Sequence, residues 1–82
     1  MGQRPRPKPK YLAAKLLAIR RKLGVSQCEM EKLLNFQVST ARITEYEHGT
    51  REPNLLTILA YSRAAHVSVE YLIDDDLDLY DS

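Results

Sequence analysis

The sequence has few of the residues that cross-link a fold or place it in a membrane. It contains 82 residues, one cysteine, three glycines and no tryptophan. A single cysteine cannot form an internal disulfide, which fits a reducing compartment. No apolar run approaches the roughly 20 residues that span a bilayer, and no apolar stretch of a secretory signal follows the basic N-terminus. We therefore expect one small cytoplasmic domain with no membrane association.

Acidic residues are missing from the first third of the chain. Every charged residue between Met1 and Cys28 is basic, whereas every charged residue from Glu70 onward is acidic, so the net charge of +1 hides a strong polarity. This asymmetry indicates a polyanionic partner at the basic end. Two solvated tails of opposite charge would give the same pattern.

Signatures of catalysis and metal binding are also missing. His48 and His66 lack ligand spacing, and the chain has no serine–histidine–acid order and no glycine-rich phosphate loop. The acidic residues 74–78 lack the glycine and the spacing of a calcium loop. Cys28 has no second cysteine with which to form a redox pair. We expect no metal, no cofactor and no enzymatic activity.

Apolar residues recur at helical spacing through most of the chain. A first helix follows Tyr11, and Gly24 ends it because glycine tolerates the left-handed closing conformation. Ser26 and Glu29 fit a capping box that opens a second helix. Ser39 and Asn54 are predicted caps of a third and a fourth helix, and residues 67–68 open a fifth.

This pattern divides the chain into three parts. Residues 1–10 alternate basic residues with proline, which excludes helix and predicts a flexible basic arm. Residues 11–74 carry the five helices, and residues 75–82 form an acidic tail. No strand-length run of β-branched residues is present, so the fold class is all-α, a compact helical bundle.

The motifs also occur in a specific order. They are Arg20, Gly24-Val25-Ser26-Gln27, Met30, Leu34, Val38-Ser39, Ile43, Glu47-x-Gly49-x-x-x-Pro53 and the later series Leu55, Leu59, Ala64, Val67-Ser68 and Leu72. Over about residues 12–73 this order resembles the XRE family of phage-repressor and Cro-like helix-turn-helix proteins. The resemblance implies a lambda-repressor-like five-helix bundle in which helices 2 and 3 form the helix-turn-helix. Glu31 stands where the family usually has alanine, and Asn35 replaces the usual turn glycine.

The first turn of helix 3 would then meet base edges in the major groove of double-stranded DNA. Arg42 is the best candidate reader because a guanidinium can bond guanine O6 and N7 together; a phosphate contact is the alternative. The predicted base-reading residues are Thr40, Ala41, Arg42 and Glu45. The predicted phosphate contacts are Gln27, Ser39, Thr44, His48, Thr50 and Arg51. The arm would add Arg4, Arg6, Lys8 and Lys10, either in a groove or through non-specific attraction. By the same resemblance, Arg20 and Glu47 form a partly buried structural ion pair.

The resemblance implies a sequence-specific transcriptional regulator, and we expect a repressor that binds a palindromic operator as a homodimer. One short recognition helix reads too few base pairs to select one site in a genome. The predicted dimer contact consists of Tyr71, Leu72, Ile73, Leu77, Leu79 and Tyr80. One alternative is an antitoxin or co-regulator whose tail binds a protein partner. Another is an interaction module that no longer binds DNA.

Overall fold

The computed structural model describes residues 9–78, which contain five helices and no strand. The helices are α1 (Leu12–Leu23), α2 (Gln27–Leu33), α3 (Thr40–His48), α4 (Leu55–Ala65) and α5 (Val69–Ile73). The predicted all-α, five-helix architecture is confirmed. None of these helices is long and apolar enough to cross a bilayer.

The boundary between α1 and α2 follows the predicted signals. Gly24 closes α1 with φ 71°, in the left-handed region that glycine adopts without steric cost. The Ser26 hydroxyl then accepts from the Glu29 amide at 3.1 Å, and the Ser26 amide donates to the Glu29 carboxylate at 2.9 Å. The capping box is therefore confirmed. Hydrogen bonding of the Glu29 carboxylate by Ser26, chiefly by its backbone amide, holds the pKa of Glu29 below its ordinary value.

The next two helices are capped by their own chain in the same way. The Ser39 hydroxyl accepts from the Arg42 amide at 3.2 Å, and the Asn54 side chain accepts from the Thr57 amide at 2.8 Å. Both predicted caps are confirmed. Since each cap lies three residues before its donor, the starts of α3 and α4 are set by local sequence.

One apolar core joins all five helices. The side chains of Ile43 and Tyr46 point inward as predicted, and α1 packs against α3, α4 and α5. Burying these side chains is the main source of stability in so small a domain. The core residues are Leu12, Leu16, Ile19, Met30, Leu34, Val38, Ile43, Tyr46, Ile58, Tyr61 and Leu72.

The connection between α2 and α3 contains two consecutive left-handed residues. Asn35 has φ 57° and Phe36 has φ 60°. Asparagine tolerates this conformation better than most residues, which explains how the turn forms without the usual glycine. The Phe36 amide donates to the Glu31 carbonyl at 2.9 Å, so the backbone closes α2 while the Phe36 ring stays exposed.

The segment after α5 is attached to the start of α1. The carboxylate of Asp75 accepts from the backbone amide of Lys10 at 2.9 Å and from that of Tyr11 at 3.2 Å. These bonds, with that to Lys10 the stronger, lower the pKa of Asp75. No side chain caps α1, and Asp75 instead binds the two residues that lead into the helix.

A buried lysine completes this attachment. The Lys15 ammonium donates to the carbonyl of Asp74 at 2.9 Å and to that of Leu77 at 2.8 Å. The described part of the predicted tail is therefore bound to the domain through the Asp75 carboxylate and the Leu77 carbonyl. We call this set the C-terminal junction: Lys10, Tyr11, Lys15, Asp74, Asp75 and Leu77.

The predicted dimer contact needs one correction. Leu72 is fully buried in the core of its own protomer, so it has no surface left for a partner. Tyr71 and Ile73 on the same helix are exposed, and Leu77 is half-buried. Leu79 and Tyr80 lie outside the described residues.

Candidate nucleic-acid interface

The first turn of α3 is open on the surface of the domain. Ser39, Ala41 and Arg42 are exposed, and Thr40 between them is half-buried. The rest of α3 is anchored, because Ile43 and Tyr46 lie in the core. An exposed N-terminal turn on a fixed helix is the arrangement with which a helix-turn-helix presents side chains to the major groove.

The far end of α3 is held by an ion pair with α1. The Arg20 guanidinium meets Glu47 at 2.7 Å through Nε to Oε2 and at 3.1 Å through Nη2 to Oε1. Arg20 Nη1 also donates to the carbonyl of Val25 at 3.1 Å. The Glu47 side chain is 3% exposed and that of Arg20 19%. The predicted partly buried pair is confirmed, and its hydrogen bonds raise the pKa of Arg20.

Two polar side chains extend this pair toward α2. Gln27 Nε2 donates to Glu47 Oε1 at 3.0 Å, and the Thr44 hydroxyl lies 2.7 Å from Gln27 Oε1. The chain of contacts links α1, α2 and α3, so the two helices of the motif share one polar anchor. We call this set the α1–α3 junction: Arg20, Gln27, Thr44 and Glu47.

The predicted phosphate contacts of Gln27 and Thr44 are affected by this junction. A primary amide has two N–H donors, and Gln27 uses one of them on Glu47. The other is the donor that a phosphate would take. Thr44 already directs its hydroxyl to Gln27 and to the Thr40 carbonyl, at 3.1 Å. Both contacts stay predictions, and a DNA role of Gln27 is compatible with its place in the junction.

The exposed face of α3 carries a weaker ionic cluster. The Glu45 carboxylate lies 3.2 Å from Arg42 Nη1 and 3.3 Å from Arg51 Nε, and all three side chains are 40–49% exposed. Solvent-exposed pairs of this kind contribute at most about 1 kcal/mol. Arg42 and Arg51 can therefore leave Glu45 for an anionic partner, and the contacts predicted for all three stay predictions.

The loop after α3 lies beside this cluster. Gly49 ends the helix with φ 75°, and the Thr50 amide and hydroxyl both donate to the Glu45 carbonyl, at 3.0 and 3.2 Å. His48, Thr50 and Arg51 are exposed. The loop is thus folded back on α3, with three polar side chains at the surface near its end.

Glu31 is a site residue that sequence reasoning missed. Its Oε1 accepts from the Thr40 amide at 2.8 Å and from the Thr40 hydroxyl at 2.6 Å. The available signal was an acidic side chain on α2 at the position where the family usually has alanine. A carboxylate there is within reach of the unsatisfied amides that begin the next helix.

The predicted arm contacts lie mostly beyond the described part of the chain. Arg4, Arg6 and Lys8 are outside the described residues. Lys10 is exposed, and its backbone amide is bound by Asp75. Lys10, the last residue of the predicted arm, is therefore held in place by the C-terminal junction.

Comparison with known proteins agrees with this geometry. A family model described as helix-turn-helix matches residues 16–72. The chain belongs to this helix-turn-helix family. The match runs from within α1 to within α5. Together with similar solved structures, it identifies the chain as a DNA-binding regulator of transcription. Two solved repressor structures confirm the resemblance to phage repressors.

Two solved structures are similar to this helix-turn-helix domain. One is a crystal structure of the P22 c2 repressor in complex with a synthetic operator, with a TM-score of 0.70, 32% identity, and coverage of 79% of this chain and 96% of that one. The other is the solution structure of the DNA-binding domain of the same repressor, with a TM-score of 0.72, 29% identity, and coverage of 92% and 96%. The search of curated proteins gave no significant match.

Proposed function

We propose that the domain is a repressor that acts in the cytoplasm, binds a palindromic operator as a homodimer, and has no enzymatic activity. The observation that carries the proposal is the exposed first turn of α3, which the α1–α3 junction holds in a fixed orientation. The P22 c2 repressor, whose domain is similar, was crystallised with an operator. A fixed helix supports base reading, because each side chain then meets a defined position in the groove.

Two kinds of contact support sequence-specific rather than general binding. Arg42 is exposed and only loosely held by Glu45, so it is free to bond a guanine. Gln27 and the exposed loop side chains after α3 are suited to phosphates, which fix the register without reading sequence. Loss of a reader and loss of a phosphate contact therefore have different consequences.

The test is selection of bound sequences from a randomised double-stranded DNA pool, followed by binding to the enriched site and to random DNA. Arg42→Ala should lose about 1–3 kcal/mol of discrimination at one base pair of each half-site. Arg51→Ala, at an exposed loop residue outside the α1–α3 junction, should weaken cognate and random DNA alike. Arg63→Ala is the matched control, since Arg63 is an exposed arginine of α4 outside the proposed interface.

Assembly is tested separately by sedimentation, free and on the selected site. A palindromic motif and a dimer on DNA would support the proposal. The truncation to use removes residues 79–82 only, because removing Asp75 and Leu77 would also destroy the C-terminal junction. A monomer bound to a motif without two-fold symmetry would refute the homodimer, and capture of a different protein through the tail would favour the antitoxin or co-regulator.

A further inference from the structure

The carboxylate of Glu31 bridges the two helices of the motif at the reading end of α3. One oxygen, Oε1, accepts both donors of Thr40: the backbone amide at 2.8 Å and the side-chain hydroxyl at 2.6 Å. Both residues are partly buried, so water competes weakly for these bonds. The first turn of α3 is thus held by its own Ser39 cap and by a second acceptor from α2.

The contact fixes the direction in which the Thr40 hydroxyl can bond. A threonine hydroxyl has one proton to donate and two lone pairs that accept. The carboxylate of Glu31 only accepts, so the proton of Thr40 must point toward it. What the hydroxyl can still offer to a third group is a lone pair.

We propose that Glu31 is a specificity-determining residue that turns Thr40 into an acceptor toward DNA. In the major groove the amino groups of adenine and cytosine are donors, whereas guanine O6 and N7 and thymine O4 are acceptors. Thr40 therefore prefers adenine or cytosine on the strand that it contacts and discriminates against guanine and thymine. The inference rests on the proposed function, since it requires that α3 reads bases.

Two substitutions separate this effect from simple support of α3. Glu31→Gln keeps the polarity, because the Thr40 amide can only donate and so holds the carbonyl oxygen of the glutamine toward itself. Glu31→Ala removes the acceptor and frees the hydroxyl to rotate. Thr40→Val removes the hydroxyl, keeps the shape and leaves the backbone amide on Glu31.

The experiment measures binding to the selected site and to all its single-base-pair variants for these three proteins and for the original chain. Thr40→Val should lose discrimination at one position per half-site and thereby identify it. There the original chain and Glu31→Gln should prefer adenine or cytosine by about threefold to tenfold, the range that one net hydrogen bond supports. In Glu31→Ala this preference should fall below about twofold or move to guanine or thymine.

Folding is controlled by circular dichroism, with binding measured well below the unfolding midpoint of the least stable variant. Every base pair carries one amino group in the major groove, so the contacted strand is identified by replacing each base of the pair in turn with an analogue that lacks its exocyclic amino or keto group. Dependence of the original chain on a keto oxygen of guanine or thymine, and not on an amino group, would overturn the inference. The same holds if Glu31→Ala keeps the adenine or cytosine preference, or if Thr40→Val changes no position. If Arg42→Ala still relaxes a base pair, the proposed function survives that failure. If the original chain enriches no motif, both are wrong.

Discussion

Helix α1 carries a polar junction at each end, and the two are built differently. At its last turn, Arg20 meets Glu47 through two bonds, and both partners are charged side chains. Around its start, Lys15 and Asp75 bind backbone carbonyls and amides, which every residue type except proline supplies in full. The α1–α3 junction depends on residue identity in both partners, whereas each contact of the C-terminal junction depends on the identity of one partner only. Helix α3, whose first turn is proposed to read bases, is therefore attached through the junction that tolerates fewer substitutions.

Removal of Glu47 should have the largest effect on stability. Glu47→Ala leaves Arg20 and Gln27 without their shared acceptor in a largely buried site, and breaking such a pair costs about 3–5 kcal/mol; partial exposure of Arg20 favours the lower end. Urea unfolding followed by circular dichroism measures the loss. Glu52→Ala, an exposed glutamate in the following loop, should change stability by less than about 0.5 kcal/mol. Equal losses in the two variants would mean that the junction adds nothing.

Lys15→Met should have the next largest effect. It keeps the apolar stem but removes two charge-assisted bonds to the carbonyls of Asp74 and Leu77, which is expected to cost about 1–3 kcal/mol. Hydrogen exchange should show earlier opening of the Leu77 amide, which donates to the Asp74 carbonyl. Lys32→Met on the exposed side of α2 is the control. Unchanged exchange at Leu77 would show that Lys15 does not hold the segment.

Acid should weaken the C-terminal junction through Asp75. The pKa of Asp75 is lowered in the folded state, chiefly by the Lys10 amide. Its contribution to stability is therefore complete above the unfolded pKa of about 3.9 and is lost as pH falls through the lower folded pKa. Asp75→Asn offers one acceptor oxygen instead of two. Its melting temperature should lie below that of the original chain at neutral pH, and the gap should close below about pH 4. A gap independent of pH would contradict this assignment.

Tyr61→Phe should have the smallest effect, and with the opposite sign. Within residues 9–78 the Tyr61 hydroxyl is a buried polar atom without a hydrogen-bond partner. Burial raises its pKa, and nearby Glu47 raises it further. Removing an unsatisfied hydroxyl should leave stability unchanged or raise it by about 1 kcal/mol. Thermal unfolding measures this, with the exposed Tyr71→Phe as control. A clear loss in Tyr61→Phe alone would show that the hydroxyl has a favourable role.

The parts of this structure that sequence predicted well are those set by neighbours in the chain. The caps at Ser26, Ser39 and Asn54 act over three residues, so a local pattern reveals them. The pair of Arg20 with Glu47 spans 27 residues and was predicted only through the family resemblance.

The contacts that the sequence did not predict join residues that are far apart in the chain, and no local sequence motif marks either partner. Glu31 reads as a departure from the family, and only packing of α2 on α3 brings it to Thr40. Lys15 is one of several basic residues in the sequence of α1, and only the path of the chain after α5 gives it carbonyl acceptors. Leu72 was misassigned to a surface because a five-residue helix has no clear periodicity.

The distance along the chain between Asp75 and the amides that it binds also constrains the order of folding during synthesis. Helices α2, α3 and α4 can be capped as soon as three further residues have emerged from the ribosome. Helix α1 is made first, yet the acceptor for the Lys10 and Tyr11 amides just before it follows 65 and 64 residues later. A nascent chain that ends before Asp75 therefore has three capped helices and a first helix with a frayed start. The part of the domain that is synthesised first therefore gains its full set of hydrogen bonds last.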